Sequence, residues 1–127
     1  MSEALESKIP KLIMCLLSHD PQTGMWISHC LDFDIVTSAP TEGESWNAMK
    51  NVLRTHIESC VADNFEAGLS RRASVEHWRE FANLVFSRNT RSEPIDLHLK
   101  NRRASDIWMK GVEVEPEPLS ARVPVVN

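Results

Sequence analysis

The chain has 127 residues, 42% of them apolar and 25% charged, with a formal net charge of −4. That length is about one domain, with room for a core of its own and no need for disulfide or metal staples. Its longest apolar run, Leu12 to Leu17, falls far short of the about 20 residues a membrane span requires, and its acidic first residues lack the basic-then-apolar order of a secretory signal, so the expectation is a cytoplasmic chain outside the membrane.

After an N-terminal extension over 1–9, Lys11 to Ser18 is apolar with β-branched and long side chains, and reads as a strand buried on both faces. His19 to Gly24 contains Pro21 and Gly24 and reads as a turn, with Met25 to Cys30 as a second strand, so a β-hairpin is expected. Pairing Ser18 with Met25 would set Cys15 opposite Ser28. Leu31-Asp32-Phe33-Asp34 reads as a corner in which the carboxylates bond nearby N–H groups and Phe33 turns inward. Ile35-Val36-Thr37 is a short β-branched strand, ended by Ala39-Pro40.

Thr41 and Glu44 then stand at capping-box spacing. Apolar residues follow at Trp46, Met49, Leu53, Ile57 and Cys60, one stripe on a helix over about 42–63. Ser74 is placed to cap a second helix over about 75–87, with Val75, Trp78, Phe81 and Leu84 on its apolar side. Arg88 to Pro94 reads as loop, and Ile95 to Leu99 alternates like a strand. Ser105 to Trp108 fits either a helical turn stopped by Gly111 or a strand continuing to Val114. Residues 113–127 form an acidic, proline-rich tail, read as extended.

The expected fold class is therefore α+β: a short antiparallel sheet of three to four strands with an amphipathic helix across it, then a second helix and an extended C-terminal segment. The organisation read from the sequence is a core over 10–66, a second helix with a basic accessory segment over 67–112, and the tail. Residues 1–60 hold four basic and eight acidic groups, whereas 71–110 hold nine basic and five acidic. The basic stretch reads as a solvated face, or as contacts to nucleic acid or an acidic partner through Arg71, Arg72, Arg102 and Arg103.

The run Gly24-Met25-Trp26-Ile27-Ser28-His29-Cys30-Leu31-Asp32-Phe33-Asp34-Ile35-Val36-Thr37, followed by Thr41 and the helix through Ile57, resembles the HicB-like antitoxin fold over about residues 10–63. Ala39-Pro40 and Ser45-Trp46 depart from the Gly-Asp and Glu-Ala pairs usual there. The resemblance implies a β-β-β-α unit, a homodimer, and a surface that covers a small RNA-cleaving toxin. The helix-turn-helix or ribbon-helix-helix of full-length antitoxins is not legible here, so the fold carries over more readily than the activity.

Chemistry finds little purchase. His29, Cys30, His56 and Cys60 include zinc-ligand types, but adjacent strand residues point to opposite faces, and Cys60 lies on the apolar stripe. Cys15 and Cys30 read as buried, inert thiols, and the odd count of three cysteines argues against a disulfide framework. Asp32 and Asp34 fit turn-making better than acid–base catalysis. The four tryptophans read as core. The expectation is a non-enzymatic, cofactor-free interaction or regulatory domain that occludes a small basic partner through Asp32, Asp34, Glu42 and Glu44. The alternatives are a nucleic-acid-binding regulator or a stand-alone structural homodimer.

Overall fold

The computed structural model describes residues 5–85, 89–100 and 102–114. Strands β1 (Leu12–His19), β2 (Trp26–Cys30) and β3 (Ile35–Ala39) precede helix α1 (Glu42–Ala62). A 3₁₀ turn (Glu66–Leu69), helix α2 (Val75–Leu84) and strands β4 (Thr90–Leu99) and β5 (Arg102–Glu113) follow. The fold is α+β. Its single sheet has five strands in the order β3-β2-β1-β5-β4 and is mixed, because β5 enters parallel to β1 while every other neighbour is antiparallel.

The β1–β2 register differs from the expected one. Ser18 faces Ile27, Cys15 faces Cys30, and Trp26 pairs with His19 rather than lying beside Leu17. The reason is a tighter loop. Asp20 donates its N–H to Met25 C=O at 2.8 Å, and Gly24, at φ +75°, donates back to Asp20 C=O at 2.8 Å. The Asp20 carboxylate accepts from Gln22 N–H and from the Thr23 hydroxyl, so His19 joins the strand.

Helix α1 starts where the capping residues place it. Thr41 Oγ1 accepts the Glu44 N–H at 3.2 Å and donates to Glu44 Oε1 at 2.8 Å. The glutamate thus binds the cap hydroxyl, where a standard capping box binds the cap N–H. At the other end Asn64 adopts φ +53°, and Phe65 and Asn64 donate to Cys60 and Val61 C=O, which closes a Schellman motif. Between them Trp46, Met49, Leu53, Ile57, Cys60 and Val61 are all buried. They pack on Ile13, Cys15, Leu17, Cys30, Ile95, Leu97, Ile107 and Met109, which belong to the same core as Leu5 and Ile9 of the N-terminal extension.

Trp46 explains Gly111. A Cβ there would lie 2.5 Å from Trp46 Cζ3 and 3.1 Å from Leu17 Cδ1. Gly111 therefore stops no helical turn: it lies inside β5 and admits the indole. The indole N–H donates to Glu93 Oε1 at 2.6 Å, and Lys50 Nζ donates to the other oxygen at 2.5 Å. The Lys50 bond is the main cause that holds the Glu93 carboxyl below its usual range.

The opposite sheet face is covered less completely. Helix α2 fully buries only Phe81, which joins Leu16, Leu31, Ala73 and Val112 in a second, smaller cluster. Ser74 stands at the α2 N-cap without a side-chain bond to the helix backbone, and the helix ends at Leu84. Residues 86–88, on which its expected last turn falls, lie outside the described residues, as do 115–127 of the expected tail. Of the tryptophans, Trp46 alone is fully buried, and Trp108 is 44% exposed. The segment around Ser92 and Pro94 is strand rather than loop, because β4 begins at Thr90.

Candidate interaction surface

The four acidic candidates do not form one patch. Asp32 is buried, and its Oδ2 accepts the Met14 N–H at 2.8 Å. Leu31 N–H binds Met14 C=O, so a regular ladder would return Met14 N–H to Leu31 C=O. Asp32 takes that donor, and Leu31 C=O accepts from Ala73 N–H at 2.9 Å. One carboxylate thus releases a strand carbonyl to tether the segment leading into α2. Burial pushes the Asp32 carboxyl up, against the opposing effects of the Met14 bond and the Arg72 charge.

Asp34 sits at φ +53° in the corner, and its Oδ1 is 2.7 Å from His29 Nε2. The His29 ring meets His77 of α2 edge-on at 4.7 Å between centroids. Glu42, in the first turn of α1, pairs with Arg91 at 3.3 Å and lies beside Glu113 at the far end of β5. The hydrogen bond shared with Glu42, then burial, raises the Glu113 carboxyl above its ordinary range. Leu17, Asn89 and Thr90 complete the cleft there, of about 260 Å³. Glu44 is exposed at the α1 cap.

The basic candidates fall on two separate elements. Arg71 and Arg72 lie in the connector before α2, where the Arg72 guanidinium stands 5.5 Å from the Trp78 ring. Arg102 and Arg103 open β5, and each is engaged within the chain, Arg102 with Glu6 at 2.8 Å and Arg103 with Asp96. The two sequence pairs are thus not joined into one array of free charges.

All three cysteines are free and buried. Cys15 and Cys30 face one another beneath α1 and are fully buried. The contact with Cys30, together with burial, pushes the Cys15 thiol well above its ordinary range. Cys60 Sγ lies 3.7 Å from His56 Nε2, but that nitrogen also meets Gly68 C=O at 2.6 Å, and burial raises the thiol. Among the described residues no cluster of three or more His, Cys, Asp or Glu side chains has metal-site geometry, and no helix is long and apolar enough to cross a membrane.

The two edges of the sheet escaped the reading of side chains alone. At β4, Arg54 Nε donates to Asp96 C=O at 3.2 Å, and Glu58 Oε2 accepts the His98 N–H at 2.7 Å. Helix α1 thereby occupies main-chain groups on the outer side of that strand. The available signal was the i,i+4 spacing of Arg54 and Glu58 beside the apolar stripe. At β3 no such cover exists among the described residues.

No family model, no curated protein and no solved structure matches this chain.

Proposed function

We propose that the protein is a cytoplasmic, non-enzymatic interaction and regulatory domain of HicB-like type, a homodimer that occludes a small basic partner protein. The observation that carries the reading is the run from β1 to α1. Three consecutive antiparallel strands, with the Leu31–Asp34 corner between the second and third, lead into a helix capped by Thr41, in the order the resemblance implies. Asp34, whose Oδ1 contacts His29, precedes the last of these strands and the exposed Glu44 follows it; together they supply the negative charge a basic surface would meet. The nucleic-acid reading draws less support, since Arg102 and Arg103 are already paired with acidic groups of the chain.

The test is purification of the tagged full chain from its native host at low and high salt. A small basic protein recovered in fixed stoichiometry, and lost on the double substitution Asp34→Asn with Glu44→Gln, is the expected result. Recovery of no protein partner would overturn the reading. A partner retained undiminished by the double variant would remove its electrostatic part.

A further inference from the structure

The two sheet edges differ in a way that assigns one of them a task. Hydrogen-bonded and non-hydrogen-bonded pairs alternate along antiparallel strands. Leu31 N–H to Met14 C=O and Asp20 N–H to Met25 C=O, both 2.8 Å, mark the even-numbered residues of β1 as those that bond β2. Trp26, Ser28 and Cys30 must then turn their main-chain groups toward β3, where their partners are Ala39, Thr37 and Ile35. Val36 and Ser38 remain, with N–H and C=O directed away from the sheet. No hydrogen bond among the described residues reaches those four groups.

The same logic applied to β4 gives the opposite result. Glu113 N–H to Asn89 C=O at 2.9 Å fixes the phase, and Pro94 falls on an outward position where its missing N–H costs no ladder bond. Beyond the bulge between Ile95 and Leu97, Arg54 and Glu58 hold Asp96 C=O and His98 N–H. A proline and two helix side chains are devices that keep an edge from pairing. Within β3 itself there is no proline, and among the described residues no helix side chain takes the main-chain groups of Val36 or Ser38; Pro40, on the next outward position, bounds the edge, and Val36 is 58% exposed.

We infer that the β3 edge is a strand-addition site for an extended, basic-flanked segment of a partner protein. Main-chain bonds to Val36 and Ser38 would give affinity, and charge at the two ends would give selectivity. The charges exclude a second copy as the best occupant. The antiparallel self-pairing that satisfies both outward residues sets Val36 against Ser38 of the other copy. It also sets Asp34 against Pro40, next to Thr41 and the Glu44 that Thr41 holds. Like charges would meet at both ends of the joint. A segment with lysine or arginine at each end meets Asp34 and Glu44 with opposite charge. The inference rests on the occlusion reading above for the existence of a partner, and adds the place and the backbone geometry.

The test uses the full chain, labelled with ¹⁵N, and two probes: a capped peptide of alternating valine and threonine with lysine at each end, and its counterpart with glutamate at each end. Shift changes and slowed amide exchange should centre on Val36 and Ser38. The lysine peptide should bind at least about tenfold more tightly at low salt, a preference that screening removes. Val36→Pro deletes an outward N–H and should abolish the response; Asp34→Asn with Glu44→Gln, which leaves the backbone intact, should erase the preference between peptides. Perturbation centred on β4 or on the α2 face would overturn the inference, as would equal response to both peptides. So would a peptide-free dimer whose Val36 and Ser38 amides are already protected. A partner captured from the host that binds Val36→Pro undiminished would defeat the site while leaving the occlusion reading standing. A β3 response with no captured partner would do the reverse.

Discussion

The two faces of the sheet are packed to different standards. On one, the 21-residue helix α1 lays an unbroken seam from Trp46 to Val61 over strands contributed by both ends of the chain. On the other, the ten-residue α2 seals only Phe81, and Leu12 and Trp108 stay 39% and 44% exposed. Burial of apolar area is the dominant favourable contribution to folding, so global stability should reside in the α1 layer, with α2 an attachment that opens on its own.

Four substitutions would break or sharpen that contrast. Trp46→Ala removes the largest fully buried side chain together with the Glu93 bond, and should cost about 3–5 kcal/mol, read by chemical denaturation. Gly111→Ala drives a methyl into the same indole, and an overpacking loss of about 1–3 kcal/mol is expected. If Gly111→Ala proved neutral, the close approach of β5 to Trp46 would be wrong. Phe81→Ala should act locally, since its global cost cannot exceed the free energy that docks α2. Amide exchange should then show α2 losing protection while β1 and β5 keep theirs; equal loss in both would erase the distinction between the faces.

The smallest effect concerns pH. Because Glu93 titrates lower in the folded protein than in the unfolded chain, its ion pair contributes fully above the ordinary glutamate range of about 4.3 and is lost as pH falls through the lowered folded value. Glu93→Gln should therefore flatten the acid side of the stability profile, with the gap from the parent closing toward low pH. A gap of constant size from pH 7 down to acid would show that the carboxylate charge contributes nothing.

The α1 seam was legible in the sequence because helical spacing repeats over about four turns, from Trp46 to Cys60, and its start is written in Thr41. The hairpin was legible but its register was not: the pairing lies two residues away from the expected one, with Ser18 opposite Ile27 instead of Met25, and depends on how Asp20 bonds its loop. Pro94 disguised the start of β4: a proline reads as a loop until one knows that its nitrogen faces outward from an edge. Alternation in β5 distinguishes two faces but does not say which of them a helix will cover, so Trp108 was taken for core. The candidate acids were legible as turn and cap formers. Their distribution over three sites was not, because it follows from where α1 crosses the sheet.

The parallel joining of β1 to β5 places Leu12 beside Trp108. Partners so remote along the chain must lose the entropy of a long closed loop before their contacts form, which slows folding. During synthesis β1 would leave the ribosome well before β5 and wait, one flank bare, until β5 had been translated. In that interval the nascent polypeptide would present an unpaired strand to its surroundings, the condition in which chaperones and misassembly compete.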